Sequence, residues 1–304
     1  MAEATAGHPA AGRTAAPGLR RALADLPAAD RVGLVTAMTL VLLLLFSGGG
    51  WYVQAPVAVL GAAGLLLPPL RRSSWFWLGL GALLFAGFLY EWSIVDNHQY
   101  LYVYWCLALG LALRTAEPGA QLAVSARWLV ALCFLSATIW KALSPDFLDG
   151  SFFHQALLVD SRLQWAAEHV AGLPGDVNAA NRRALGSLLG YSAEVAPIEL
   201  RSSPTVAALA RILAWATLAI EGLIAFAFAG PARWPLGRLR APLLLAFVLS
   251  TYALAPVIGF GWILLILGLA QAPDRGPIPT AYVVAFLVLP LYRVPWRELL
   301  AGVG

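Results

Sequence analysis

Lys141 is the one lysine in this 304-residue chain; the other nineteen of its 20 basic residues are arginines. Lysine can give up its proton when desolvated, whereas arginine effectively cannot. A water-poor setting after Trp140 and before Ser144-Pro145 would make Lys141 a general base. The alternative is a lysine that snorkels to the headgroups and anchors a helix end. A second group of polar residues, Asp96-Asn97-His98-Gln99-Tyr100-Leu101-Tyr102-Val103-Tyr104, opens an apolar run. There His98 can shuttle a proton or donate to an oxyanion. Tyr100 and Tyr104 share a helix face while Tyr102 points elsewhere; an interfacial aromatic belt is the plainer reading of these tyrosines. Glu221 is the acid deepest in an apolar run, and an intramembrane carboxylate is a functional candidate by default. Counting residues from each helix end places Glu221 far from Lys141 and makes Arg127 its expected partner, in a structural ion pair. Arg211 is placed to bind an anion or carboxylate, and His154 either lines the same vestibule or sits on the surface. No His, Cys, Asp or Glu set has metal-ligand spacing, and no phosphate-binding loop or nucleophile elbow is present.

These residues are embedded in a chain that is 60% hydrophobic and only 12% charged. Soluble domains run nearer a quarter charged, so the apolar surplus is expected to face lipid. A soluble enzyme, a nucleic-acid-binding protein and a disordered regulator are poor readings. The net charge of +4 is spread between apolar runs and makes no nucleic-acid footprint. Cys106 and Cys133 both lie in apolar runs, which argues against a disulfide framework.

The expected fold is an all-α polytopic integral membrane protein with eight or nine transmembrane helices. Apolar runs fall at 32–53, 55–70, 74–95, 100–113, 122–143, 206–229, 241–271 and 280–292. Pro256, Gly259 and Gly261 break the seventh run into two short helices, and the last run is short for a span. Gly48-Gly49-Gly50 is expected to end a membrane helix in an outer turn. Residues 1–31 form an expected disordered cytoplasmic tail, with Arg20-Arg21 preceding a retained first helix rather than a cleaved signal. The membrane domain then runs over 32–297. With the N-terminus cytoplasmic, 12 of the 20 basic residues fall inside, as the positive-inside rule requires. The expected location is a cell membrane, with the bacterial inner membrane favoured. Residues 144–204 form one polar outer-face segment with seven acidic residues and four arginines, and 161–170 within it can form an amphipathic surface helix.

Two motifs resemble a known family. Asn97-His98-Gln99-Tyr100-Leu101-Tyr102 resembles the Asn-His-x-Tyr-Leu-Tyr helix start of vitamin K-dependent gamma-carboxylases. Lys141-Ala-Leu-Ser-Pro-Asp-Phe-Leu-Asp-Gly150 is similar to their lysine-containing helix end and the acidic, glycine-terminated tail after it. Bacterial relatives of this group are the HTTM (horizontally transferred transmembrane) proteins, in which Glu221-Gly-Leu-Ile also has a counterpart. The resemblance covers about residues 75–230. It implies quinone or hydroquinone chemistry, with Lys141 and His98 as catalytic base and assistant; the outer-face pocket expected around them sets Asn97, Tyr102, His154 and Arg211 against the substrate. The family carries a Lys-Lys pair where this chain has Trp140, Lys141 and Ala142, and alignment on the acidic tail puts Ala142 at the base. The large extramembrane domain of the carboxylases has no counterpart here, so base-assisted oxidative chemistry on a lipophilic quinol is the implied activity, rather than protein carboxylation. The competing expectation is a non-catalytic accessory or peptide-maturation protein that holds an exported peptide or protein partner through its outer segment. A transporter would call for mid-membrane charges and internal repeats; only Glu221 answers to that.

Overall fold

A computed structural model describes residues 30–93, 95–188, 199–231, 233–254, 257–274 and 276–293. The expected tail over 1–29, Pro256, Arg275 and Arg297 lie outside the described residues. Those described fold into helices without a strand. We number the principal helices α1 (Arg31–Phe46), α2 (Trp51–Leu66), α3 (Ser74–Tyr90), α4 (Tyr100–Ala112), α5 (Pro118–Ala142), α6 (Ser151–Val159), α7 (Gln164–His169), α8 (Gly175–Leu188), α9 (Pro204–Ala229), α10 (Arg240–Leu254), α11 (Ile258–Ala270) and α12 (Pro277–Val288).

Punctuation residues set the boundaries. Asp30 caps α1 by accepting the Gly33 N–H at 2.8 Å, the usual service of an acidic N-cap. Gly48 and Gly49 have positive φ (72° and 75°), so α1 stops at Phe46 and α2 starts at Trp51. The expected first run therefore ends seven residues early. Proline opens α5, α9 and α12, where its missing N–H costs nothing. The long apolar run does divide, into α10 and α11, but Gly259 and Gly261 lie inside α11 and do not break it.

Among the described residues two helices, α5 and α9, are long and apolar enough to cross a membrane. The other apolar helices run from 12 to 17 residues, or about 18–26 Å at 1.5 Å per residue, short of a full bilayer core. Length thus marks two spans where eight or nine are expected.

Contacts fix the ends of the bundle. At one end Tyr52 donates to Glu91 and Gly48 abuts the Gln99 side chain. At the opposite end Ser74 donates to the Gly110 carbonyl, and Arg31 to the Ala272 carbonyl and to Asp274. Helix α11 is apolar all round and buries every residue but Phe260, so it is the axis of the bundle. One core joins α1–α5 with α10–α12 and the last turns of α9.

The described residues of the polar segment expected over 144–204 are largely helical. Helices α6 and α7 pack a second, smaller core against Val206 and Ala210 of α9. The surface helix expected at 161–170 is a 3-10 turn (Ser161–Leu163) followed by α7. Helix α9 therefore belongs to both layers: its first turns lie in the polar-segment layer and its last turns in the bundle.

Candidate functional site

Four chain segments converge at the end of the bundle where α4 begins. Asn97–Gln99 make one 3-10 turn that leads straight into α4 and sets His98 beside the α11 N-terminus. The His98 ring lies 5.5 Å from the Phe260 ring and 6.0 Å from the Tyr102 ring. A cavity of about 630 Å³ opens here. Its mouth is apolar, with Leu45 and Trp51 on the exposed surface of α1 and α2. Exposed Gln54 and Asp96 stand at its rim, half-buried His98 and Gln99 behind them, and buried Ser47 and Tyr102 deepest, with the Ile258–Gly259 backbone. Arg162 reaches over from the second layer, paired with Asp160 at 2.5 Å. The volume is in the range of small-molecule sites, with polar and apolar residues sharing the lining.

Burial pushes the His98 imidazole below its ordinary value, against a weaker opposing pull from Asp96. A neutral imidazole has a free ring nitrogen to accept a proton. The Tyr102 hydroxyl is buried and has no hydrogen-bond partner among the described residues.

Lys141 is not part of this cavity's lining. Its ammonium donates to both carboxylate oxygens of Glu221, at 2.8 and 2.7 Å, and lies 5.7 Å from the Phe147 ring centre. This corrects the expected Glu221–Arg127 pair. The count along the helices put Glu221 17 residues, about 26 Å, below the start of α9, and assumed that α9 and α5 begin and end at one level. Because the first turns of α9 lie in the second layer, Glu221 descends only to the last turn of α5. Gly222 confirms the level, since a side chain there would meet Thr138. Arg127 instead lies over the Trp128 ring at 5.0 Å, and its Nε is buried without a partner among the described residues.

The tail after Lys141 performs structural work. Phe147 packs under the ammonium. Asp149 accepts the Ser151 N–H at 2.8 Å, which holds its carboxyl below the usual carboxylate range and starts α6. Gly150 sits at φ 90°, and a Cβ there would lie 3.1 Å from the Arg211 backbone nitrogen. The glycine is thus required twice, for its conformation and for the close approach of α9.

The remaining candidates are scattered. His154 Nε2 lies 2.6 Å from the Ser202 hydroxyl in the second layer. Arg211 faces Gly150 and Asp149. Asn97 is exposed. Of the expected site residues, only His98 and Tyr102 share the cavity; Lys141 and Glu221 form their own pair. The sequence reading missed Ser47, Gln54 and Arg162 as cavity residues. Gln54, the single amide between two apolar runs, was the available signal; for Arg162 there was none, because it arrives from another layer. Compared with family models, curated proteins and solved structures, the chain matches none.

Proposed function

We propose that this protein is a polytopic cell-membrane protein, its N-terminus cytoplasmic and its cavity at the outer face, that binds a quinol-like lipophilic molecule and assists its oxidation. The observation that carries this reading is the cavity itself, which joins exposed apolar residues at Leu45 and Trp51 to the half-buried His98 and the buried Tyr102. A molecule with an apolar tail and a hydroxylated ring has that same division. The resemblance to the carboxylase and HTTM group points to the same ligand class.

Membrane placement draws support from the aromatic residues. Trp51, Tyr90, Trp92 and Trp140 are exposed at the cavity end, and Trp75 and Trp234 at the opposite end. Paired belts of exposed tryptophan are the habit of membrane proteins at their two interfaces.

On this reading His98 meets the ligand. Transfer of a quinol O–H proton to the neutral imidazole leaves a quinolate, the electron-rich form that dioxygen oxidises. Lys141 is committed to Glu221, so the base role expected of it passes to His98, and Lys141 becomes a structural cation. The test is mass spectrometry of lipids co-purified with wild type, His98→Ala and Lys141→Ala. A quinone enriched in wild type and in Lys141→Ala, and lost in His98→Ala, is expected. Phospholipid alone in all three preparations would refute the reading. Labelling of α8 by an impermeant reagent on intact cells checks the orientation.

A second reading, a peptide- or protein-binding accessory, draws on the exposed Phe152, Trp165 and Val170 of the second layer. Recovery of a partner that requires these residues, with no quinone bound, would favour it.

A further inference from the structure

The deep end of the cavity holds two kinds of donor that have no partner among the described residues. Helix α11 makes its first hydrogen bond from the Gly261 N–H to the Val257 carbonyl, at 3.1 Å. An α-helix leaves the N–H groups of its first turn without partners inside the helix, here those of Ile258, Gly259 and Phe260. Ile258 and Gly259 both line the cavity. The second donor is the Tyr102 hydroxyl. Tyr102 is 1% exposed and lines the same cavity, and its hydroxyl has no partner among the described residues.

Gly259 brings the two together. A Cβ on this residue would lie 2.5 Å from the Tyr102 hydroxyl oxygen. Without one, the phenol rests against the bare backbone of the first turn. A buried hydroxyl left unpaired is costly, and its natural complement is an acceptor supplied by a ligand. The partial positive charge of a helix N-terminus favours an acceptor that is anionic.

We propose that Tyr102 and the first turn of α11 form an oxyanion subsite that binds the ionised oxygen of a phenol-type ligand. The inference rests on the proposed cavity ligand and deepens it: the subsite holds the ligand as its phenolate or quinolate, with His98 beside it to take up the proton. Preorganised donors of this kind favour developing negative charge without reorganising when it appears.

The test uses the full chain in phosphatidylcholine nanodiscs, with empty discs as the baseline. The probe is 4-nitrophenol, whose phenolate absorbs in the visible; 4-nitroanisole is the control of like shape that cannot ionise. Wild type is expected to bind the phenolate in preference to the anisole. Tyr102→Phe is expected to weaken phenolate binding about tenfold or more, to leave anisole binding within about twofold, and to leave the melting temperature unchanged or higher. Gly259→Ala, by crowding the hydroxyl, is expected to impair phenolate binding with the hydroxyl still present. Equal phenolate affinity in wild type and Tyr102→Phe overturns the subsite, as does a lower melting temperature in that variant, which would give the hydroxyl a structural role. Binding of 2-methyl-1,4-naphthoquinone separates the two levels. If it binds while phenolate binding ignores Tyr102, only the subsite falls. If phenolate binding needs Tyr102 but the naphthoquinone does not bind, the subsite stands and the quinol reading falls. If neither probe binds, both fall.

Discussion

Glu221→Gln leaves the Lys141 ammonium without its carboxylate, and Lys141→Met leaves the carboxylate without its ammonium. The two side chains retain 25% and 11% of their exposure. Breaking a fully buried pair costs about 3–5 kcal/mol, while a fully exposed pair is worth at most about 1 kcal/mol. This pair lies between, so each single variant is expected to lose about 2 kcal/mol. The double variant Lys141→Met/Glu221→Gln buries no unpaired charge and is expected to lose only about 1 kcal/mol, far less than the two singles together. Lys141→Arg keeps the charge and can meet both oxygens, so its loss is expected to be smaller than that of Lys141→Met. The assay is reversible unfolding in mixed detergent micelles, followed by the fluorescence of the twelve tryptophans. Additive losses in the Lys141/Glu221 cycle would refute the pairing. So would a strong coupling between Arg127→Gln and Glu221→Gln, which the structure places apart.

Gly150→Ala is expected to destabilise by about 1–2 kcal/mol from the positive φ alone, and further from contact with the α9 backbone; chemical denaturation reads it, and an unchanged midpoint would contradict the geometry. His98 gives a pH signature. Its folded-state value is lowered by burial, so the unfolded chain takes up the proton first as pH falls below the ordinary value of about 6.5. Stability is therefore expected to be full at neutral pH and to decline through that acid window, flattening once the folded state also binds the proton. His98→Phe should remove this slope, and a slope that persists unchanged would assign it to another group. Arg240→Ala deprives the Ala227 and Gly230 carbonyls at the end of α9 of their donor; a loss of about 1 kcal/mol is expected, read by the same unfolding assay.

Helix positions were largely legible in the sequence because they depend on local chemistry. Apolar runs bounded by Gly48-Gly49, Pro118, Pro204 and Pro277 became helices with ends shifted by a few residues. The interruption between α10 and α11 was legible for the same reason. Residues 144–204 were less so. Their apolar positions, such as Leu157, Leu158 and Leu163, are too few for a span and predict at most a surface helix over 161–170, yet they suffice for a small core once α9 supplies Val206 and Ala210.

The candidate site was readable in its ingredients and unreadable in its grouping. The sequence by itself determined that the chain is apolar, helical and furnished with a few isolated polar residues, since composition and spacing carry that information without any partner. It also marked His98, Tyr102, Lys141 and Glu221 as residues with chemistry to perform. Only the tertiary structure decided which of them meet. The outward displacement of α9 by the second layer brought Glu221 to Lys141 and left Arg127 without it. The bare Gly259 at the head of α11 let the Tyr102 hydroxyl rest on a helix N-terminus. Both outcomes turn on the level at which one helix stands beside another, and that level is set by packing between segments far apart in the chain.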